Sequence, residues 1–398
     1  MIALINEYLK TYFGLKVPSV FSYYSTRMIL AAITSLAVVI FLGPRFINML
    51  KAFQRAQILR TEDCPEICQH KKKQDTPSMG GILILGAMLV SLFLWMDLQH
   101  IFTAILLFST LSFGLLGFGD DYVKFKSGSS KKGMSGKVKL LVQAILASLL
   151  AIYLLCPSCY ESIGIGNWFN PPAIKELGNQ PATLTLQQYA GRFYLPFIKD
   201  PIFELTGFWL VLAALLVMFV VIGSSNAVNL TDGLDGLATG CLIMVASCLA
   251  LFAFVSNNVD LASYLNILYV EGSGEIAIYL SAFVGACIGF LWYNGHPAEL
   301  FMGDTGSLAL GGIIGVSAVL LNREGLLALI GGVFVAETLS VILQVASFRW
   351  RNKKRIFLCT PLHHHFECMG WPETKIVTRF WIIGLLLAIV GIASLKFQ

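Results

Sequence analysis

Charge is scarce in this chain of 398 residues: Asp, Glu, Lys and Arg together make up 13% of it, about half the usual globular share. A soluble chain of this length needs more charge to cover its surface, so an ordinary soluble domain is excluded. Patterns for reading nucleic acid are also missing, with no helix-turn-helix, zinc finger or aromatic-basic stacking stretch. The net charge of +5 therefore reflects membrane topology and anionic headgroups, not nucleic acid. No internal repeat, low-complexity tract or second domain is visible, which makes 1–398 a single polytopic membrane domain. The first 25 residues lack a basic start and a small-residue cleavage site, and are expected to be a short outer-face segment and not a signal peptide. Nine cysteines add little. Cys241, Cys248 and Cys287 fall in apolar stretches as packing residues. Cys156 and Cys159 sit at an outer mouth, too closely spaced for an unstrained structural bridge. Cys64 and Cys68, even with the histidines at 363–365, lack the second CxxC or spaced histidines of a zinc site.

What is abundant is apolar: 56% of residues, with a mean hydropathy of +0.74. Stretches of spanning length (about 17–25 residues) recur at 28–49, 79–96, 101–118, 138–156, 205–223, 236–255, 275–292, 306–321, 326–347 and 376–395. Backbone groups in lipid must bond within their own segment, so these are helices. The expected fold is an all-α integral membrane protein with ten transmembrane helices. Charge orients them. The first, third and ninth loops carry six Lys/Arg each, whereas the even loops together carry Lys175, Arg192, Lys199 and Arg323. The positive-inside rule then puts the odd loops in the cytoplasm and both termini outside. The loop 157–204, rich in Pro, Gly and aromatics, is expected to be a partly ordered outer-face insertion.

Nearly all the unusual polar residues fall in the five odd loops. Asp120 and Asp121 end the third span; as helix neighbours their carboxylates point about 100° apart and can take different roles. Asn229-Leu-Thr231-Asp232-Gly-Leu-Asp235 opens the sixth span. There Asp232 and Asp235 are expected to share a helix face, with Asn229 or Thr231 as the cap, at an end that attracts phosphate. Asp304, between Gly303 and Gly306 in the loop that begins at Asn294, suits a magnesium ligand better than Glu299 does. His363, His364 and His365 are unspaced, which disfavours zinc but suits hydrogen bonding to phosphate or moving protons near neutral pH. Glu337 and Gln344 share one face inside the ninth span, facing a bundle interior or cavity. Lys71–Lys73 and Thr76-Pro-Ser-Met-Gly80-Gly81 precede the second span, where the glycines suit close packing or ligand approach. An ion-coupled transporter would instead place ionisable groups at mid-membrane; only Glu337 lies well inside a span.

Taken together, Asp120-Asp121, Asn229-Leu-Thr-Asp-Gly-Leu-Asp235 and Phe301-Met-Gly-Asp304 resemble the polyprenyl-phosphate N-acetylhexosamine-1-phosphate transferases. Thr360-Pro-Leu-His-His-His-Phe-Glu367 and Gly370-Trp-Pro-Glu-Thr-Lys-Ile-Val-Thr-Arg-Phe-Trp381 narrow the resemblance to their phospho-N-acetylmuramoyl-pentapeptide transferase branch. The resemblance covers about 50–395, with the motifs in family order. It implies a multi-pass enzyme of the bacterial cytoplasmic membrane, with its site on the cytoplasmic face, that moves phospho-MurNAc-pentapeptide from UDP to undecaprenyl phosphate. The products would be lipid I, for peptidoglycan, and UMP. By the same resemblance Asp120, Asp121, Asp304 and His363 are catalytic and Asp304 holds Mg²⁺. Lys73, Thr76, Lys139, Asn229, Asp232, Asp235, Asn294, Gln344, His364 and His365 line the substrate site. The implied partners are the nucleotide-sugar peptide, the polyprenyl phosphate, the bilayer and a second copy of the chain in a homodimer. Two positions depart from the family pattern, Asp75 where glycine is usual and Ser78 where threonine is usual. A sister enzyme using UDP-N-acetylglucosamine is the alternative within the superfamily, disfavoured by the histidine triplet and Trp371-Pro-Glu.

Overall fold

A computed structural model describes residues 19–53, 76–127, 133–156, 172–177, 182–351 and 353–396. Helices dominate, in the order α1 (Tyr24–Phe53), α2 (Gly81–Trp95), α3 (Ile101–Ser127) and α4 (Gly136–Leu155). The segment that follows contains β1 (Ile174–Glu176), β2 (Ala182–Leu184), α5 (Leu186–Ala190), β3 (Arg192–Phe193) and β4 (Phe203–Glu204). Next come α6 (Leu210–Thr231), α7 (Leu237–Ser256), α8 (Val259–Tyr264), β5 (Tyr269–Val270), α9 (Ser273–Asn294) and α10 (Gly303–Leu320). The chain ends with α11 (Glu324–Ile330), α12 (Gly332–Trp350), α13 (Leu362–Cys368) and α14 (Glu373–Ala393).

Nine helices among the described residues are long and apolar enough to cross a membrane. The second expected span differs: α2 has 15 residues, about 22 Å of helix, and is apolar but short. The ninth expected span is interrupted, because α11 ends at Gly331 and α12 starts from it. The helical class holds, and the described residues of the expected 157–204 insertion add short strands. Strands β2, β1 and β5 form an antiparallel sheet, with Ile174 opposite both Leu184 and Val270. Strands β3 and β4 pair as a hairpin. Those short strands satisfy backbone groups where the chain leaves the helical bundle and no spanning helix can do so.

Helix α10 is the central post, buried from Thr305 to Leu320. Its glycines let neighbours approach backbone to backbone. A Cβ on Gly311 would lie 2.5 Å from the Ser224 carbonyl of α6, and one on Gly312 would strike Phe113 of α3. On the α3 side, a Cβ on Gly117 would lie 2.3 Å from the Asp304 carbonyl. That contact fixes the end of α3 against the start of α10. A polar stitch holds the other flank: Ser225 donates to the Leu308 carbonyl (2.8 Å), Gln143 donates to Ser225 (3.0 Å), and Asn226 donates to Gln143 (2.9 Å). Such bonds are satisfied within the bundle, as a lipid environment demands.

At the far end of α10 the strand-bearing segment docks. The Tyr189 hydroxyl donates to the Leu320 carbonyl, and Asn322 donates to the Tyr189 carbonyl. At that same end a buried pair, Arg27 with Glu275 at 2.8 Å, ties α1 to α9.

Candidate active site

Three carboxylates meet where α3 and α10 touch: Asp120, Asp121 and Asp304 each offer an oxygen within 4.8 Å of the others. Helix α3 runs on to Ser127, so the two acids lie inside it and not at a free C-terminus as expected from sequence. Their divergent directions give different partners. Asp121 turns to the start of α10 and accepts from the backbone N–H groups of Asp304 (3.1 Å) and Thr305 (2.8 Å) and from the Thr305 hydroxyl (2.6 Å). It thus caps a helix from another helix, satisfying donors that α10 itself cannot. Gly303 makes this possible with φ of 74° and no side chain; a Cβ there would lie 2.7 Å from Asp121 Oδ2.

Asp120 turns the other way. It accepts from the Met134 N–H (2.6 Å) and pairs with Lys124 (2.6 Å) and Lys139 (2.8 Å). The same two ammonium groups reach Asp304 Oδ2, at 2.9 and 2.7 Å. Two cations therefore sit between two carboxylates, all largely withdrawn from solvent. Lys139 was expected at the site. Lys124 was not, although its position four residues after Asp120 is ion-pair spacing on a helix.

The 229–236 segment folds differently from expectation. Helix α6 continues through Thr231, and α7 begins only after Gly236, whose φ is 77°. Asp232 and Asp235 therefore lie in a tight turn between two helices and share no helix face, and Asn229 and Thr231 belong to the last turn of α6 rather than capping α7. Gly233 and Gly236 supply backbone conformations and clearances that a helix start would not need. Burial pushes the Asp232 carboxyl up to about 7, and the charges of Asp304, Asp121 and Asp235 act in the same direction. That coupling places the turn within electrostatic reach of the acid triad.

A second group gathers around Asp235: its Oδ2 lies 3.0 Å from His296 Nδ1 and accepts from the Ala298 N–H (3.2 Å). Glu373, at the start of α14, accepts from the Asp235 N–H (2.7 Å). Asn294 is buried. Its carbonyl oxygen accepts from Gly236 N–H and the Thr239 hydroxyl, and its amide donates to the Leu300 carbonyl. His296 and Glu373 had no site role in the sequence reading; the signal for each was its place beside a motif residue, Asn294 or Trp371-Pro372.

The histidines occupy the first turn of α13. His363 is 1% exposed, with Nδ1 3.2 Å from Glu337 Oε1 and its ring against Gly233, where a Cβ would lie 2.2 Å from Nε2. Burial lowers its pKa, so the ring is neutral at pH 7. His364 Nδ1 lies 2.6 Å from Glu367, and His365 Nδ1 accepts from the Leu358 N–H (3.2 Å). Gln344 holds the approach to α13, accepting from the N–H groups of Ile356 and Phe357 and donating to the Phe357 carbonyl. Thr76 donates to the Ala298 carbonyl (3.2 Å). The next residues pair with the segment before α10, Gly80 and Gly81 donating to the carbonyls of Phe301 and Met302. Lys73, Cys64 and Cys68 lie outside the described residues.

A bundle of spanning helices with an acid triad and paired lysines at one end defines a membrane transferase for phosphorylated substrates. The family model described as glycosyl transferase family 4 matches residues 103–322, and a phospho-N-acetylmuramoyl-pentapeptide-transferase signature matches 73–85. The chain is 61% identical to the phospho-N-acetylmuramoyl-pentapeptide-transferase of Protochlamydia amoebophila, over 100% of both chains. It is 44% identical to those of Desulfotalea psychrophila and Bartonella quintana, over 96% of each chain. The chain belongs to the phospho-N-acetylmuramoyl-pentapeptide-transferase family, and is a multi-pass, helical membrane phosphoglycosyl transferase.

Proposed function

We propose that the protein transfers phospho-MurNAc-pentapeptide from UDP-MurNAc-pentapeptide to undecaprenyl phosphate, forming lipid I and UMP in peptidoglycan synthesis. The observation that carries this reading is the triad of Asp120, Asp121 and Asp304 at one end of a membrane bundle, in a chain so close to named relatives over its whole length. The basic loops support a bacterial cytoplasmic-membrane protein of ten crossings, with both termini outside and the triad facing the cytoplasm. Helix α2 would be the short tenth crossing.

A phosphate nucleophile must approach a diphosphate, so negative charge meets negative charge. The donor set suits Mg²⁺, which takes hard oxygen ligands, usually one or two carboxylates together with substrate phosphates. Asp304, with Asp120 beside it, would hold the ion, and a bound ion supplies charge neutralisation between the reacting phosphates. Lys124 and Lys139 already occupy the space between those carboxylates and are within reach of incoming phosphate oxygens. Asp121 keeps the start of α10, and so Asp304, in place. The turn carrying Asp232 and Asp235, with Asn229, Asn294 and Gln344 around it, would receive the nucleotide-sugar. His364 and His365, with Thr76, would flank it, neutral His363 would support the turn at Gly233, and Lys73 would bind the same substrate.

Asp121 accepts on both oxygens, and Asp120 is bound by Met134 N–H and two ammonium groups. Both are held in place by these contacts, Asp121 as a helix cap and Asp120 as a lysine partner, and the proposed route gives neither a covalent role. In that route the lipid phosphate oxygen attacks the sugar-bound phosphorus directly; that P–O bond forms, the bond to UMP breaks, and UMP leaves. Purified protein given either UDP-MurNAc-pentapeptide or UDP-N-acetylglucosamine, with polyprenyl phosphate and Mg²⁺, tests the reading by UMP release. Turnover is expected with the first donor. Turnover confined to the second would transfer the assignment to the sister activity.

A further inference from the structure

The end of the bundle opposite the acid triad carries an apolar surface that no part of the transfer reaction requires. It belongs to the β3–β4 hairpin and the turn leading into α6. Leu195, Ile198, Ile202, Phe203, Phe208 and Trp209 are all exposed there, Phe203 by 58% and Phe208 by 82%. The exposed polar residues in this stretch are Lys199 and Asp200 at the hairpin turn, Glu204 on β4 and Thr206 after it. With Phe197, the large exposed apolar side chains number seven in fifteen residues; a loop standing in water would not present them, and a patch of this kind marks an interaction surface.

The hairpin is held in a fixed pose. The Ile202 N–H donates to the Phe193 carbonyl (2.9 Å) and the Leu205 N–H to the Gly191 carbonyl (2.8 Å). Arg192 braces both edges, 3.2 Å from Glu176 and from Glu204. Its inner side rests on the α10–α11 connection, where the Tyr194 carbonyl lies 2.4 Å from the site of a Cβ on Gly325. The exposed residues are therefore the face left over after docking.

Continuity with the lipid-facing surface identifies what covers that face. Three residues after β4 the chain enters a continuous helical stretch, Gly207–Thr231, of 25 residues. At 1.5 Å per residue this is about 37 Å, longer than the roughly 30 Å hydrocarbon core, so each end projects into a headgroup layer. One end is Thr231, beside the acid site. The other carries Trp209, a residue type that collects at membrane interfaces, beside the exposed Phe208. Leu212, Leu215 and Phe219 continue the exposed apolar surface down the same helix.

We propose that the β3–β4 hairpin, with Phe208 and Trp209, lies in the interfacial layer of the leaflet opposite the acid triad. Its partner is the bilayer itself, with phospholipid acyl chains against Phe203 and Ile202. Lys199 at the hairpin turn, whose partner within the chain is Asn266 Oδ1 at 3.5 Å, turns to the phosphates. The hairpin thereby sets the depth of α6 and, through Tyr189 and Leu320, of α10.

The test places a photoreactive benzophenone side chain at position 203 or 208 of the full chain. The protein is reconstituted in phosphatidylethanolamine–phosphatidylglycerol vesicles, irradiated, and its peptides are weighed. Matching substitutions at Phe219, within the span, and at Lys175, exposed on β1, set the upper and lower bounds. Unchanged UMP release would show that each variant is folded, since none of these residues lies near the acids. Phospholipid adducts at 203 and 208 are expected within about threefold of position 219 and about tenfold or more above position 175. Yields at the level of position 175, with position 219 labelling strongly, would overturn the proposal. So would adducts joining two copies of the chain, which would make the patch a protein interface. The readout is lipid contact and is independent of which substrate the enzyme uses.

Discussion

Asp121 and Asp304 are both buried acids of one triad, yet their hydrogen bonds separate them. Asp121→Ala removes three acceptor bonds at the start of α10. Loss of a helix cap costs on the order of 1–2 kcal/mol, so the variant is expected to melt at lower temperature even without metal or substrate. Asp304→Asn removes a ligand oxygen while leaving that cap in place. It is expected to abolish Mg²⁺ binding and to lower kcat by about a hundredfold or more, in protein that still purifies folded. Isothermal titration with Mg²⁺ and UMP release check it; retained Mg²⁺-dependent turnover would remove Asp304 from the metal. Asp232 carries the pH dependence. Its carboxyl ionises near 3.8 in an open chain and at about 7 in the fold. Between those values the folded protein holds a proton that the unfolded chain has released, so stability falls as pH rises through that window. In metal-free protein the melting temperature should drop from pH 5 to 7.5, and Asp232→Asn should flatten the slope. An equal slope in both proteins would remove Asp232 as its source.

At the scale of elements, the sequence is most legible where composition alone decides. Eight of the ten expected apolar stretches coincide with single helices long enough to span. It is least legible where a turn and a helix start share the same residues. Asn229–Gly236 reads as a capped helix, but Gly233 and Gly236 are there for clearance against His363 and for a left-handed backbone, and the helix starts at Leu237. Local propensity does not report what packs on the far side of a glycine. The acids themselves are legible as motifs, whereas His296 and Glu373 are not, because their partner Asp235 comes from another turn; Lys124 is legible only as an i,i+4 partner of Asp120, since its second partner, Asp304, lies on another helix. The packing gives a test at this scale. Gly233→Ala would drive a Cβ into the His363 ring, and overpacking of this kind typically costs about 1–3 kcal/mol. The displaced turn carries Asp232 and Asp235, so KM for the nucleotide-sugar is expected to rise more than the melting temperature falls. A variant with unchanged KM would separate His363 from the substrate turn.

For the whole molecule, a polyprenyl-phosphate acceptor as proposed would stay in the bilayer, and the triad, where α3 meets the start of α10, would lie near headgroup depth, where an acid escapes the roughly 2.5–3.5 kcal/mol insertion cost of mid-membrane. Lateral entry follows. Shortening the polyprenyl chain is expected to raise KM for the acceptor while leaving the Mg²⁺ requirement unchanged; a water-soluble short-chain phosphate working equally well at low concentration would refute it. The burial of α10 has a consequence for biogenesis. This helix is lined with glycine and serine, begins with an aspartate, and is surrounded on its flanks by α3 and α6. Lipid would solvate it poorly if it emerged alone from the insertion machinery. Of its neighbours only α11 follows it in the chain; α2, α3, α6 and α7 are synthesised earlier, so by the time α10 is made a protein-lined slot exists to receive it. Chain order here is also assembly order, and Asp304 is the last piece of the triad to be delivered.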